Sequence, residues 1–349
     1  MIHAVSIRMR TILCALFVIT IPISAESLTS TTEINLEQAW SQQPSGWTYP
    51  MSISVPSTVP PQDGFPVCIL LHGNGGTGAP MVNQFREVLP THALVAPTGY
   101  QNSWNICAES SDAPDWDMVG DLVRRLSQFD NIDNDRIQLL GISNGSALVN
   151  TVFAVDPSLD VDAFVAVVSH LNDSQYHNEA FHRPGPVTEP SDSWCGYSSS
   201  AVPAHRRRYL GMSNINDGII PYSGGSSPVG VNFLSAEDAI YRIAQSQGFT
   251  GEALSGVQPQ IPGEQIWEYD YLDGQVVHLR GLAQHGMSPG HFAYAQAFLS
   301  QPPLSDCDGD ENGDGDVSFA DLTQVLAAWG QDTGMSDLLL VLGNWGKCL

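Results

Sequence analysis

Residues Phe65–Leu71 form an unbroken apolar stretch that stops abruptly at His72-Gly73-Asn74-Gly75-Gly76. A strand with no polar face has to be covered on both sides, which places this one at the centre of a sheet. The same rhythm recurs along the chain. Ala93–Pro97, Ile137–Ile142, Phe164–Ser169, Arg208–Met212 and Gln275–Gly281 read as strands, and Val119–Phe129 and Ala147–Val155 carry helical periodicity. Trp47–Val55 alternates as a further strand before a turn at Pro60–Gly64. Strands alternating with helices predict an α/β chain with a mostly parallel sheet and helices on both faces.

The first 25 residues carry Arg8 and Arg10, then the apolar run Ile12–Ile23, then Ser24 and Ala25. This pattern is that of a secretory signal peptide over 1–25, and the run is too short to cross a bilayer comfortably. Cys14 lies in that run without a small residue before it, so a lipid anchor is not expected. No later stretch has spanning length. The expected location is therefore secreted, extracellular or periplasmic, with no membrane span. A net charge of −24 argues against nucleic acid as a partner, since like charges repel and few cations offset them. The local basic triplet Arg206–Arg208 reads as a solvated approach to a strand. In an oxidising compartment Cys107 pairs with Cys195 and Cys307 with Cys348 in the simplest scheme, leaving Cys68 as a buried free thiol.

Ile137–Leu140 runs into Gly141-Ile142-Ser143-Asn144-Gly145 and then into a helix. A G-x-S-x-G pattern between strand and helix makes a sharp turn that pushes the serine out at the sheet edge. Ser143 is the candidate nucleophile. A serine hydroxyl needs a base to take its proton, and the base needs a carboxylate to orient it. Downstream, Asp217 opens a turn after the strand Arg208–Met212 and is the candidate acid. Asp162 and Asp173 come earlier than the usual order of acid after nucleophile, and Asp238 belongs on an exposed helix. Three histidines follow: His278 inside a strand after the Asp273-Gly274 turn, His285 just beyond it, and His291 at the start of the last helix. His285 is the candidate base, with His291 in reserve. The N–H of Asn144 and an N–H of the preceding glycine-rich turn, at Gly73 or Asn74, are the candidate oxyanion donors. Trp104, Trp194 and Tyr222 are aromatic candidates for the cleft, and His170–Ala204 breaks the strand-helix rhythm as a binding loop, a lid or a plain surface loop.

Taken together, Leu71-His72-Gly73, Asp117-Met118-Val119-Gly120, Asn131-Ile132-Asp133, the serine turn and Asp217-Gly218-Ile219-Ile220-Pro221-Tyr222-Ser223-Gly224-Gly225 resemble the polyhydroxybutyrate depolymerase and feruloyl esterase group of α/β-hydrolases, related to carbohydrate esterase family one. The likeness runs from about Trp47 to Ser300. It implies the α/β-hydrolase fold and hydrolysis of polyhydroxyalkanoate, feruloyl or acetyl esters by a Ser-His-Asp triad, with no cofactor for catalysis. The chain departs from the group in a longer acid segment between Gly211 and Asp217, and in His285-Gly286-Met287-Ser288-Pro289-Gly290, which lacks the group's tryptophan after the histidine.

Beyond Pro302-Pro303, the segment Asp310–Asp321 sets oxygen side chains at Asp310, Asn312, Asp314, Asp316 and Asp321, with Gly315 at the sharp turn. Those positions match an EF-hand-type calcium loop. The stretch Ala320–Gly330 then recurs as Ser336–Gly346, each copy ending in Trp-Gly. This internal repeat resembles a dockerin with one calcium loop lost. It implies one structural Ca²⁺ and a cohesin-like or cell-surface partner, with Trp329 and Trp345 expected to supply most of the area between two helices. The expected organisation is a signal peptide (1–25), an α/β-hydrolase domain (26–302) and a small all-α calcium-binding module (303–349). A secreted esterase acting on a polymer or its oligomers is the leading reading. A catalytically inert, calcium-dependent adhesion or scaffold component and a serine peptidase are the alternatives.

Overall fold

The computed structural model describes residues 26–155, 158–185, 193–304, 309–311, 316–330 and 333–347. The expected signal peptide (1–25), Asn312, Asp314, Gly315, Cys307 and Cys348 lie outside the described residues.

Eight strands build the main sheet: β1 (Met51–Ser54), β2 (Phe65–Leu71), β3 (Ala93–Pro97), β4 (Ile132–Ile142), β5 (Ala163–Val167), β6 (Arg208–Asn214), β7 (Trp267–Tyr271) and β8 (Val276–Gly281). Their order across the sheet is β7-β8-β6-β5-β4-β2-β3-β1. The six inner strands are parallel, and β1 and β7 pair antiparallel at the two edges. Strand β2 is buried at every position, as a central strand without a polar face must be. Its alternate residues serve different layers. Val67, Ile69 and Leu71 pack toward α2 (Asp115–Leu126), α3 (Asn144–Val155) and α4 (Ala236–Ser246). Cys68 and Leu70 pack toward α1 (Gly78–Phe85) and α5 (Pro289–Ser300). Each such aliphatic side chain contributes about 1.5–3 kcal/mol of burial. The order, the crossovers and the serine turn after β4 are those of the α/β-hydrolase fold, as the motifs imply.

Register fixes where chemistry can gather. Leu71, Gly141, Ala166, Gly211 and His278 lie side by side across β2, β4, β5, β6 and β8. The segments that follow these strands therefore emerge at one edge, the carboxyl edge of the sheet, where α/β folds collect their sites.

Two expectations change at the opposite edge and in the C-terminal segment. Arg207 and Arg208 are buried, at 3% and 2% exposure, rather than solvated. Arg207 donates to the carbonyls of Phe153 at 2.8 Å and Leu159 at 2.9 Å. Arg208 donates to Phe298 O at 2.8 Å and to Asp162 Oδ1 at 3.0 Å. Phe153 and Phe298 sit in the last turns of α3 and α5, where unclaimed carbonyls and the negative end of the helix dipole favour a cation. In the C-terminal segment, α6 (Phe319–Ala327) and α7 (Met335–Gly343) meet through Val325 and Val341, with Val317, Leu322 and Leu338. Trp329 and Trp345 stay 42% and 52% exposed, because both lie beyond the ends of their helices. Asp316–Val317 and Gly346–Lys347 also form a short antiparallel pair, so the segment is not purely helical.

His170–Ala204 is less irregular than its composition suggests. Tyr176–His177, Ala180–Arg183 and Ser199–Ala201 form a small three-stranded antiparallel sheet. The disulfide Cys107–Cys195 ties this excursion to the loop before α2, and Cys68 is a buried free thiol.

Candidate active site

Ser143 sits between β4 and α3 with φ +55°, a left-handed conformation that costs an ordinary residue about 1–3 kcal/mol. The turn closes this tightly because its flanking residues have no side chain. A Cβ on Gly141 would stand 2.2 Å from Gly145 O, and one on Gly145 would stand 2.3 Å from Leu71 O. The turn is pinned by Ser143 N–H donating to Val167 O at 2.8 Å.

From this turn a hydrogen-bonded line runs outward. Ser143 Oγ lies 2.8 Å from His285 Nε2, and His285 Nδ1 lies 2.8 Å from Asp217 Oδ2. The Asp217 side chain is only 2% exposed, and its other oxygen accepts the N–H groups of Ile219 at 2.7 Å and Ile220 at 3.0 Å. A buried carboxylate so anchored presents Oδ2 to the imidazole. With the Nδ1 proton donated to Asp217, Nε2 carries the lone pair and accepts the Ser143 hydroxyl, the geometry that general-base activation of a serine needs.

The loops carrying the acid and the histidine are stapled by two asparagines that the sequence reading passed over. Asn214, at the end of β6, accepts from Ala283 N–H at 2.9 Å and donates to Gln284 O at 2.7 Å and Gly286 O at 3.0 Å. Asn216 donates to Leu282 O at 3.1 Å and accepts from Gln284 N–H at 3.0 Å. His285 is thereby held from both sides. The available signal was the run Asn214-Ile215-Asn216-Asp217, two amide side chains of the kind that clasp loop backbone just before the acid.

The candidate oxyanion donors converge on the same place. Asn144 is the first residue of α3, so its N–H has no intrahelical partner and lies at the positive end of the helix. A Cβ on Gly73 would lie 3.5 Å from Ser143 Cβ, so Gly73 sits beside the nucleophile with its open side toward it, and Asn74 lines the pocket with Ser143 and Asn144. His72 and Trp104 hold this turn. His72 Nδ1 bonds Gly73 O at 2.8 Å, His72 Nε2 accepts Gly99 N–H at 3.0 Å, and Trp104 Nε1 donates to His72 O at 2.7 Å. The Asn144 side chain clasps Trp104 N–H and O at 2.7 and 3.0 Å.

The other candidates are employed elsewhere. His278 is buried in β8 beside Tyr222, and burial pushes it down to about 3. His291 caps α5 through Ser288 and is pushed down to about 4 by burial. Asp162 pairs with Arg208 at the far edge of the sheet, and Asp238 pairs with Arg242 on the surface of α4. The Asp173 backbone holds the excursion, its N–H donating to Asn232 O and its carbonyl bonding His177. Trp104 is buried beneath the turn, Trp194 stacks on His177 and Tyr222 donates to Glu237; none of the three lines the pocket at Ser143.

In the C-terminal segment, Asp310 and Asp321 are the described members of the predicted loop whose side chains can be placed. Asp321 is fully buried at the head of α6, where Oδ2 accepts from Ser318 N–H at 2.7 Å. Asp337 caps α7 in the same way, with Gly334 N–H at 2.7 Å, so the internal repeat extends to the cap geometry. Among the described residues no group of three or more metal-ligating side chains gathers.

No protein-family model matches the sequence, and no curated protein matches it. Among solved structures the chain is similar to an acetyl xylan esterase from Aspergillus awamori, at 15% identity over 71% of this chain and 93% of that one, with a TM-score of 0.49. It is similar to a carboxylesterase from Bacillus cereus at 10% identity over 72% and 93%, TM-score 0.45. A carboxylesterase from Mesorhizobium loti matches at 14% identity over 73% and 95%, TM-score 0.43.

Proposed function

We propose that this chain is a secreted serine ester hydrolase acting on carboxylic esters of a polymer or its oligomers, with Ser143 as nucleophile, His285 as base and Asp217 as orienting acid. The observation that carries the reading is the unbroken line from Asp217 Oδ2 through His285 to Ser143 Oγ, both links 2.8 Å long. As Ser143 Oγ attacks the ester carbonyl, His285 Nε2 takes the hydroxyl proton, and Asp217 stabilises the imidazolium that forms. The carbonyl oxygen becomes an oxyanion at the N-terminus of α3, where the N–H groups of Asn144 and of Gly73 or Asn74 receive it. One such donor lowers the barrier by about 3–4 kcal/mol. His285 then gives its proton to the departing alcohol, leaving an acyl-serine, and a water activated by the same imidazole releases the acid and restores Ser143.

The motif resemblance assigns the substrates to polyhydroxyalkanoate, feruloyl or acetyl esters. The oxygen-rich set Asp310, Asn312, Asp314, Asp316 and Asp321 suits a hard cation, and the buried Asp321 carboxylate fits its last position, so one structural Ca²⁺ and attachment to a cohesin-like or cell-surface partner complete the reading. Hydrolysis of p-nitrophenyl acetate, methyl ferulate and a hydroxybutyrate oligomer by the purified chain tests it. Turnover of at least one ester, reduced about a thousandfold or more by Ser143→Ala, is expected. Turnover that survives the substitution refutes the assignment.

A further inference from the structure

The pocket that opens on Ser143 has a volume of about 320 Å³. Its lining includes Asn74, Ser143 and Asn144 but neither His285 nor Asp217. His285 is the group that hands a proton to the departing alcohol, so a pocket on the oxyanion side and without His285 lies on the acyl side of the scissile bond. Ile106, Ala147, Ile220, Val231 and Phe233 give it an apolar wall.

Among the described lining residues, one side chain is charged: Glu109. It comes from the loop that Cys107–Cys195 ties down, and its carboxylate is held at both oxygens. Oε2 accepts the N–H groups of Ile106 at 3.1 Å and Cys107 at 2.6 Å, and Oε1 accepts Asn144 Nδ2 at 3.1 Å. Three N–H donors favour the ionised form, while burial raises its pKa. Among the described residues no lysine or arginine lines the pocket to offset it.

We propose that Glu109 is a specificity-determining residue: it makes this pocket accept uncharged acyl groups and refuse acyl groups that carry a carboxylate. The inference rests on the esterase reading above. A carboxylate on the acyl chain would share a partly desolvated space with Glu109, and like charges several ångströms apart at a protein-like dielectric discriminate by roughly tenfold or more. A neutral acyl chain of the same length meets only the apolar wall.

Two esters of one alcohol and equal acyl length test this at mildly alkaline pH: p-nitrophenyl valerate and mono-p-nitrophenyl glutarate. The readout is the ratio of their kcat/KM values, in which the amount of folded enzyme cancels. Glu109→Gln is expected to raise the glutarate-to-valerate ratio roughly tenfold relative to the unaltered chain. Ser110→Lys, which sets a cation in the lining without touching the hydrogen bonds of Glu109, is expected to raise it in the same direction and carries the test if the first variant does not fold. A ratio within about twofold of the unaltered chain in the folded variants overturns the proposal and leaves the esterase reading intact. Absence of hydrolysis of both esters by the unaltered chain removes the esterase reading and this proposal with it.

Discussion

Replacing Asn214 by Ala removes the clasp that sets His285 without touching any of the reacting groups. Asn214 is 1% exposed, and the substitution strands the N–H of Ala283 and the carbonyls of Gln284 and Gly286, whose bonds to it span 2.7 to 3.0 Å. At about 0.5–1.5 kcal/mol net for each bond, the histidine loop loses roughly 2–4 kcal/mol of restraint. Asn216 still holds Leu282 and Gln284, so the loop shifts rather than unfolds. A base displaced by about 1 Å costs on the order of a hundredfold in rate. Because Asn214 does not line the pocket at Ser143, KM should stay within about threefold while kcat falls about a hundredfold. Steady-state kinetics on a p-nitrophenyl ester, with circular dichroism to establish folding, reads both numbers. A folded variant with kcat within about threefold of the unaltered chain would refute the argument that this asparagine positions the base.

Arg208→Met leaves the Asp162 carboxylate buried without its cation and should cost about 3–5 kcal/mol in urea unfolding, part of it regained when Asp162→Asn is added. Acidification should destabilise the fold. Burial holds His92, His170 and His291 at about 4 and His278 at about 3, against an ordinary 6.5, so between these values the unfolded chain binds protons that the folded chain does not. The stability they contribute is complete above pH 6.5 and drains away as the pH falls toward 4. Asp115, lifted to about 7 by burial, works in the opposite direction, as do Glu109, Asp133 and Asp270, which burial also raises; burial lowers His72 and His182 as well, and the histidines outweigh the carboxylates. Urea midpoints that stay level from pH 7 to about 5 would contradict this. Removing calcium with EGTA should lower the unfolding temperature of the C-terminal segment while leaving ester hydrolysis unchanged, and Asp321→Ala should abolish the calcium dependence; calorimetry with and without chelator reads both.

The sheet was legible in the sequence because its inner strands are covered on both faces and so write themselves as unbroken apolar runs. Phe65–Leu71 and Ala93–Pro97 have the same bounds in sequence and structure. Strand β4 and helix α3 each start earlier than periodicity suggests, since the polar stretch Asp133–Arg136 extends the strand and Asn144 opens the helix directly at the turn. The edge strands β1 and β7 were harder to read, having weaker burial to mark them. Ser143, Asp217 and His285 could be singled out because strand order restricts where an acid and a base can emerge. Pairing across space left no such mark. Asn214, Asn216 and His72 act through backbone groups tens of residues away, Glu109 meets the Asn144 side chain across 35 residues, and composition does not show which loops will meet. Arg207 and Arg208 were misread for a related reason: an arginine looks solvated until helix C-termini are known to surround it. The tryptophans of the repeat were overvalued because large area is only buried where the helix continues far enough to carry it inward.

The most direct test of the central claim is labelling by an alkyl fluorophosphonate, which forms a covalent bond only with a serine whose oxygen has been activated. Digestion and mass spectrometry should find the phosphonyl group on Ser143, with labelling lost in Ser143→Ala and strongly slowed in His285→Ala. A protein that stays unlabelled, or that carries the group on another serine, would contradict the account.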